Sequence, residues 1–295
     1  MALTTLKEIL KEAATQNYAV GAFGGMDLLS VQTVLKAAEK RRTPVILLCS
    51  QLTFRNGKEH DAEMFFEAAN TMMKAAKVPV TMILDHGNGY EACMRAIGYG
   101  FRSVMFDGSS LPIEENARIT KKIVEAAHAA GVSVEAEIGH VGGLEGSVKE
   151  EGSVADESLF TKPDEAEWFV EQTGVDALAV AIGSVHGVYR GTPELDIERL
   201  SEIRKRLGTL PLVLHGGSGI PDEGFKEAVA HGINKINIYT SMVLAAGAKM
   251  KACIEEKEGK RVNFTELILA GSAEMEQIVD HHIDIFGTQP LTFQS

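Results

Sequence analysis

The sequence predicts a (β/α)8 barrel, also called a TIM barrel, that includes all 295 residues as one domain. Eight short runs rich in valine and isoleucine recur along the chain, and they are apolar on both faces, as parallel strands covered on both sides are. Amphipathic stretches between these runs are long enough for helical crossovers. Polar residues follow several of the runs, at the end of a barrel strand where such enzymes carry their chemistry.

The predicted strands are AVGAF (19–23), VILLCS (45–50), VTMILD (80–85), SVMFD (103–107), VSVEAEIG (132–139), ALAVAIG (177–183), LVLHG (212–216) and KINIYT (235–240). An open, doubly wound sheet is the alternative fold. A dinucleotide-binding sheet of that type carries a G-x-G-x-x-G turn after its first strand. Here the corresponding turn reads AFGGMDLLS, so the pattern favours the closed barrel.

Helical periodicity is present between the predicted strands, beginning with an apolar face over residues 6–13. The further predicted helices span 59–77, 112–131, 164–174, 196–207 and 222–231, followed by two extra C-terminal helices, 241–257 and 263–283, within about 241–283. Residues 140–163 form the longest irregular segment, which is glycine-rich and acidic. Such a loop inside a barrel is typical of an active-site lid.

Composition excludes several functional classes. The chain has 29 basic and 41 acidic residues, a formal charge of −12, which argues against nucleic acid as a partner. No apolar run is long enough for a membrane span, and the first residues lack the pattern of a signal peptide. Cys49, Cys93 and Cys253 fit neither a disulfide framework nor a metal motif. We therefore expect a cytoplasmic protein without a membrane partner.

Three histidines follow three different predicted strands. His86 follows the third strand, His186 follows the sixth, and His215 lies at the end of the seventh. Three imidazoles with an open fourth position are typical of catalytic zinc, which polarises a carbonyl oxygen as a Lewis acid. The sequence therefore predicts a zinc site, although another divalent metal fits the same ligands.

The other histidines have simpler interpretations. We expect His60, His281 and His282 on solvated helical faces. His128 and His231 precede the glycines that end two helices, where a cation interacts favourably with the helix dipole. His140, in the glycine-rich loop, has no assigned role.

A glycine cluster comes directly after His215. It reads Gly216-Gly217-Ser218-Gly219 and is followed by a predicted helix. Glycines let the backbone approach a ligand closely, and a helix N-terminus presents free N–H groups to an anion. Barrel enzymes often bind phosphate with the loops after strands seven and eight. The cluster predicts a phosphate site, with an ordinary tight turn as the alternative.

Four blocks of the sequence resemble class II ketose-bisphosphate aldolases, the group of fructose- and tagatose-bisphosphate aldolases. The blocks are ILDHG, VEAEIGHVGGLEG, AIGSVHGVYRGTPELDIERL and PLVLHGGSGIPDE. The resemblance implies a metal-dependent lyase of carbohydrate metabolism and glycolysis. Such an enzyme reversibly cleaves a ketose (bis)phosphate to dihydroxyacetone phosphate and an aldehyde.

The resemblance also implies roles for individual residues. His86, His186 and His215 match the zinc ligands, Asp85 matches the proton shuttle on the aldehyde side, Asp107 and Glu137 match carboxylates near an alternative metal position, and Glu145 matches a loop acid linked to proton transfer. Gly187, Gly216, Ser218 and Thr240, beside Gly217, match the phosphate site of the dihydroxyacetone-phosphate half, Asn237 contacts that half, and Ser50 matches a family serine. A monovalent cation near the phosphate and a homodimer or homotetramer are typical of the family.

Two positions depart from the family pattern. The family usually has asparagine after the first strand, and Gly24 stands there. Fructose enzymes carry aspartate, and tagatose enzymes a small residue, at the position of Tyr239. A bulky phenol beside the sugar chain should change which aldehyde half fits, and Tyr239 therefore belongs to the predicted substrate site.

Alternatives to an aldolase remain at this point. Aldol cleavage leaves a carbanion, stabilised by a lysine Schiff base or by a metal. Lys235, the only lysine within the predicted strands, stands at the start of the last one, the wrong end of the barrel. Another zinc-dependent carbon–carbon lyase acting on a different phosphorylated or anionic ketose is the main alternative. The missing early His-x-His motif disfavours a hydrolase, and the three histidines disfavour a non-catalytic relative.

Overall fold

In the computed structural model, which describes residues 2–50, 59–143 and 153–291, eight strands form a closed parallel barrel. Strands are numbered in chain order, and those of the barrel are β1 (Val20–Gly24), β2 (Val45–Ser50), β3 (Val80–Gly87), β4 (Ser103–Phe106), β5 (Ser133–Ile138), β7 (Ala177–Val180), β9 (Leu212–Leu214) and β10 (Ile233–Ile238). Two short strands, β6 (Gly142–Gly143) and β8 (Val185–His186), pair with each other outside the barrel. The predicted fold is confirmed.

Helices cover the outside and the amino-terminal end of the barrel. They are α1 (Leu6–Gln16), α2 (Leu28–Arg41), α3 (Glu59–Ala75), α4 (Tyr90–Gly98), α5 (Ile113–Ala129), α6 (Pro163–Thr173), α7 (Ile197–Leu207), α8 (Asp222–Ala230), α9 (Thr240–Glu255) and α10 (Phe264–Ile285). The helices predicted from the sequence did not include α2 and α4. The Asp27 carboxylate caps α2 by accepting hydrogen bonds from the N–H groups of Leu29 and Ser30. Among the described residues, no helix is long and apolar enough to cross a membrane.

Buried apolar side chains form two layers. An inner layer fills the barrel, and we call it the lumen cluster. It comprises Leu6, Ile9, Leu10, Ala13, Tyr18, Val20, Ala22, Ile46, Leu48, Ile83, Met105, Ala177, Ala179 and Val213. The outer layer packs the strands against the helices. Because strand side chains alternate between faces, every second residue of a strand faces the lumen.

Helix α1 closes the amino-terminal end of the barrel. Thr5 and Glu8 form a capping box at its start, each side chain hydrogen bonding to the other's backbone. Its buried face, which includes Leu6 and Leu10, joins the lumen cluster. With this end filled by apolar side chains, the carboxyl ends of the strands are left for polar residues.

Helix α10 corrects one expectation from the sequence. His282 is only 7 % exposed and packs edge-on against the rings of Phe23, Phe225 and Phe286. The expected solvated face is therefore wrong for His282, because α10 lies on the barrel wall. His281 is half exposed and contacts Asp222. The side chain of His60 lies outside the described part of the chain.

Candidate metal and phosphate site

The polar residues of the site continue the lumen-facing rows of the strands. Val213 belongs to the lumen cluster, so His215, two residues further, faces the lumen as well. Ile83 precedes Asp85 in the same way, and both Asp85 and His215 are buried. The side chains above the apolar floor therefore converge at the carboxyl end of the barrel.

His86 reaches the same site through an irregular backbone. Alternation would point consecutive residues to opposite faces. Strand β3 shifts register between Leu84 and Gly87, and His86 has a φ angle of 47°, in the left-handed region. The irregularity lets both Asp85 and His86 contribute to the site.

The structure brings His86, His186 and His215 together. One nitrogen from each ring lies within 4.8 Å of the other two. The shortest separation, 2.9 Å, joins His215 Nδ1 and His86 Nε2. Burial lowers the pKa of both His186 and His215 well below its ordinary value. These two rings are therefore neutral imidazoles, the form that binds a metal ion.

A second group shares His86 with two carboxylates. One ligand atom each from His86, Asp107 and Glu137 also lies within 4.8 Å of the others. Asp107 Oδ2 is 2.8 Å from His86 Nδ1, while its Oδ1 accepts hydrogen bonds from Ser109 N–H and O–H. Ser109 Oγ is in turn 3.0 Å from His140 Nδ1, so His140 contacts this group indirectly, through Ser109.

The two carboxylates of this group differ in pKa. Burial alone would raise the pKa of Asp107, but hydrogen bonds from His86 and Ser109 bring it below the ordinary value. Burial, together with the nearby Asp107 charge, raises the pKa of Glu137 to about 8. Glu137 Oε2 is buried with no hydrogen-bond partner among the described residues. An unpaired buried oxygen beside an imidazole is suited to a cation.

A buried ion pair lies beneath the histidines, and sequence reasoning missed it. Glu135 Oε1 is 2.9 Å from His215 Nε2, and Glu135 Oε2 is 2.8 Å from Lys235 Nζ. All three side chains are completely buried. Strand β10 begins at Ile233, so Lys235 lies within the strand and not at its start, which corrects the sequence interpretation. The signal in the sequence was the recurrence of a polar residue at every second position, in Glu135-Ala-Glu137 and in Lys235-Ile-Asn237, which places these side chains on one face of each strand.

The glycine cluster borders the imidazoles in one pocket. The pocket is lined by Leu48, Asp85, His186, Gly187, Gly216, Gly217, Ser218, Asn237, Tyr239 and Thr240. Gly216 has a φ angle of 66°, and a Cβ there would lie 2.3 Å from the Val185 carbonyl oxygen. Only glycine fits such a close backbone approach. Thr240 is the first residue of α9, whose N-terminal end therefore meets the pocket.

Other predicted residues lie around this pocket. The Asn237 amide donates a hydrogen bond of 3.1 Å to Asp85 Oδ1. Ser50 is buried beside Asp85 in register, but it does not line the pocket. Glu145 lies outside the described residues, as does the middle of the predicted 140–163 lid.

Tyr189 is a further residue that the sequence did not single out. Its hydroxyl donates to the Gly216 carbonyl oxygen at 2.6 Å and accepts from the Val185 N–H at 3.0 Å. Burial raises the pKa of this phenol, which keeps it protonated. One side chain thus ties the glycine cluster to the strand that carries His186.

A parallel barrel with clustered imidazoles and a glycine-rich pocket at its carboxyl end defines the class of metal-assisted barrel enzymes. The family model described as fructose-bisphosphate aldolase class-II matches residues 4–290. A fructose-bisphosphate aldolase of Geobacillus stearothermophilus is 44% identical over 83% of each chain, and one of Staphylococcus aureus strain Mu50 is 41% identical over 98% of each chain. The crystal structure of the YdjI aldolase from Escherichia coli K12 has a TM-score of 0.82, with 33% identity over 97% of this chain and 98% of that one.

The chain belongs to the class II fructose-bisphosphate aldolase family. It is an aldehyde-lyase whose reaction is reversible aldol cleavage, so the predicted enzyme class is confirmed. The family is generally zinc-dependent and acts on sugar phosphates.

Proposed function

We propose that this aldolase cleaves a ketose bisphosphate to dihydroxyacetone phosphate and an aldehyde, using a zinc ion held by His86, His186 and His215. The convergence of one nitrogen from each of these rings within 4.8 Å carries the proposal. The curated relatives are named fructose-bisphosphate aldolase, so fructose 1,6-bisphosphate is the first substrate to test.

The residues fit a divalent cation. Neutral imidazoles and a buried carboxylate oxygen without a partner are donors that such a cation satisfies. When bound, zinc supplies Lewis-acid polarisation of the substrate carbonyl. Cobalt, iron or manganese fits the same ligands. We assign Asp107 and Glu137, with His86, to an alternative metal position on the basis of their mutual distance.

Asp85 is the proposed proton shuttle on the aldehyde side. Its carboxylate is 4 % exposed, lines the pocket beside His186, and is held by the Asn237 amide. A buried carboxylate held in one orientation can exchange a proton with a substrate oxygen at a fixed position. The proposed role of Glu145 in proton transfer at the nucleophilic carbon rests on the family resemblance.

The phosphate of the dihydroxyacetone-phosphate half is assigned to the glycine-rich side of the pocket. The proposed contacts come from Gly187, Gly216, Gly217, Ser218 and Thr240, with Asn237 on the same half and Ser50 behind Asp85. Free backbone N–H groups at the start of α9 favour an anion. We further propose that a monovalent cation binds near this phosphate. We also propose that residues 1–295 form one domain and that the protein is a homodimer or homotetramer in the cytoplasm.

Metal removal tests the zinc assignment. Purified enzyme is assayed on fructose and tagatose bisphosphates before and after treatment with chelator, and metal content is measured in each sample. We expect one zinc per active chain and recovery of activity on adding zinc back. Full activity in a sample verified to be free of metal would refute the assignment.

Asp85→Asn tests the proton shuttle. We expect kcat to fall by about 10²–10⁴, the usual contribution of a general acid–base residue, with zinc content unchanged. Asp222→Asn, on the exposed start of α8, is the matched control. A kcat for Asp85→Asn within about threefold of wild type would exclude this residue as the shuttle.

A second candidate is an aldolase of the same chemistry that prefers another phosphorylated or anionic ketose. Gly24 and Tyr239, the two departures from the family pattern, favour it, because Tyr239 lines the pocket. Relative kcat/KM values over a panel of ketose phosphates distinguish the two candidates.

A further inference from the structure

Gly24 and Tyr239 are neighbours at the top of the barrel. Strands β1 and β10 pair in parallel, with Ala22 opposite Asn237. Ala22 belongs to the lumen cluster and Asn237 lines the pocket. The next lumen-facing position of β1 is therefore Gly24, and Tyr239, one residue past the end of β10, lines the same pocket as Asn237. The two departures from the family pattern thus occupy adjacent places on one wall.

The Tyr239 ring fills the space that a side chain at position 24 would need. A Cβ added to Gly24 would lie 2.3 Å from Cδ2 and 2.9 Å from Cε2 of Tyr239, and 3.4 Å from Cε of Met242. A contact under 3 Å forces one of the groups to move. The asparagine usual at position 24 is therefore incompatible with this tyrosine in its present place.

We infer that Gly24 and Tyr239 form one coupled specificity element for the aldehyde half of the substrate. Glycine at 24 makes room for the ring, and the uncharged phenol of Tyr239 stands where the fructose enzymes carry an aspartate. The inference rests on the proposed aldol reaction, because it concerns the second substrate of the condensation.

The chemistry of this wall indicates the kind of aldehyde it favours. Leu48 lines the same pocket as Tyr239, so the wall presents an aliphatic group and an aromatic ring. The pocket's polar groups, including Asp85 and His186, belong to the proposed chemistry. A surface of this kind packs against C–H groups, and its one polar atom, the phenol oxygen of Tyr239, forms a weaker hydrogen bond with a terminal hydroxyl than an aspartate carboxylate does. We therefore expect Tyr239 to favour an aldehyde with an apolar terminus more than an aspartate at position 239 would.

A stability cycle tests the packing independently of catalysis. Gly24→Ala should lower the Tm by at least about 3 °C, and in a Tyr239→Ala background the same change should cost less than about 1 °C. Gly25→Ala is the matched control, because its Cβ would meet nothing closer than 3.3 Å. Equal costs of Gly24→Ala in both backgrounds would overturn the coupling. Failure of both Gly24 variants to fold would overturn it too.

A substrate cycle tests the specificity. Condensation of dihydroxyacetone phosphate is measured with glyceraldehyde and with lactaldehyde, which differ only in a terminal hydroxyl. The double variant Gly24→Asn/Tyr239→Asp should shift the kcat/KM ratio toward glyceraldehyde by at least about tenfold. KM for the aldehyde is expected to change more than KM for dihydroxyacetone phosphate. An unchanged ratio in an active double variant would overturn the inference.

The two failures are distinguishable. If none of the tested aldehydes reacts with dihydroxyacetone phosphate in the presence of zinc-loaded wild-type enzyme, the proposed function fails. The stability cycle still reports on the packing of Gly24 and Tyr239 in that case. If wild type is active, Gly24→Ala costs the same in both backgrounds and the active double variant keeps the wild-type kcat/KM ratio, the specificity element alone fails.

Discussion

The buried Glu135 carboxylate should hold His215 in the orientation that metal binding needs. Because Glu135 accepts a hydrogen bond from Nε2–H of His215 at 2.9 Å, the lone pair of the imidazole is left on Nδ1, which faces His86. Glu135→Gln keeps the size of the side chain and removes its charge. The variant therefore tests the charge-assisted bond with little change in packing.

The structure sets the expected magnitude. A hydrogen bond to a charged group contributes about 1.5–3 kcal/mol and a neutral one about 0.5–1.5 kcal/mol. The difference, about 1–1.5 kcal/mol, corresponds to a loss of roughly tenfold in zinc affinity, and partners behind a metal ligand generally contribute about 10–100-fold. Glu135→Gln also leaves the fully buried Lys235 without its ion pair. Breaking a buried pair costs about 3–5 kcal/mol of stability.

Two further variants separate the effect on zinc affinity from the effect on stability. Lys235→Met removes the cation, and Glu135→Gln/Lys235→Met removes both charges. The double variant should regain most of the lost stability while zinc affinity stays about tenfold low. Metal-free proteins are unfolded in urea, and zinc affinity is measured by competition with a chelating dye. Glu276→Gln, which loses surface ion pairs with Lys36 and Lys40, is the control.

Two results would refute this reasoning. If the double variant binds zinc within about threefold of wild type, the Glu135 charge does not orient His215. If Lys235→Met alone is as stable as wild type, the ion pair does not compensate the burial of the carboxylate.

Two other predictions follow from contacts outside the metal ligands. Tyr189→Phe removes the hydroxyl that bonds Gly216 and should raise KM for dihydroxyacetone phosphate about tenfold. Steady-state kinetics check this, with the exposed Tyr90→Phe as control. His282→Phe should make stability depend less on pH below neutrality. Burial lowers the pKa of His282, so the unfolded chain takes up its proton first and wild type loses stability as pH falls through about 6.5. Urea unfolding at several pH values tests this, and an unchanged slope would contradict it.

The groups packed against His282 determine how strongly its positive charge is disfavoured. The ring packs against Phe23, Phe225 and Phe286, and its Nδ1–H donates to the Ile278 carbonyl oxygen. His281 next to it also disfavours a positive charge. Asp222 favours the charge, but burial outweighs it.

The barrel was predictable because its strands are continuous apolar runs, buried on both faces. Strand ends were less predictable. The sixth predicted strand ran to residue 183, whereas β7 ends at Val180. Ala181 and Ile182 leave the sheet but stay buried, and composition does not distinguish them from strand residues.

His282 shows a pattern that local polarity concealed. Asp280, His281 and Asp284 lie near it in sequence, which suggested a solvated face. Val279, His282, Ile283 and Phe286 nevertheless follow the i, i+3, i+4, i+7 spacing of one buried helical face. Periodicity around the residue was therefore the better guide to its burial than the charge of adjacent residues.

The three histidines could be located from sequence because each follows a different strand. The pair Glu135 and Lys235 could not be found that way, since the residues are 100 positions apart and meet only across the lumen. Their contact depends on which face of each strand is inward and on how the barrel closes. The sequence shows which face of a strand is inward only when the bounds of that strand are predicted correctly.

The Asp85-His86 pair shows why the site needs an irregular strand. A regular strand would bring only one of two consecutive residues to the lumen. The register shift in β3 and the left-handed backbone of His86 allow Asp85 to line the pocket while His86 meets His215. A non-glycine residue with positive φ costs about 1–3 kcal/mol and persists only when its surroundings hold it. Here the hydrogen bond from His86 Nδ1 to Asp107 is one of the contacts that hold it, so a positioning role for Asp107 follows even without a second metal.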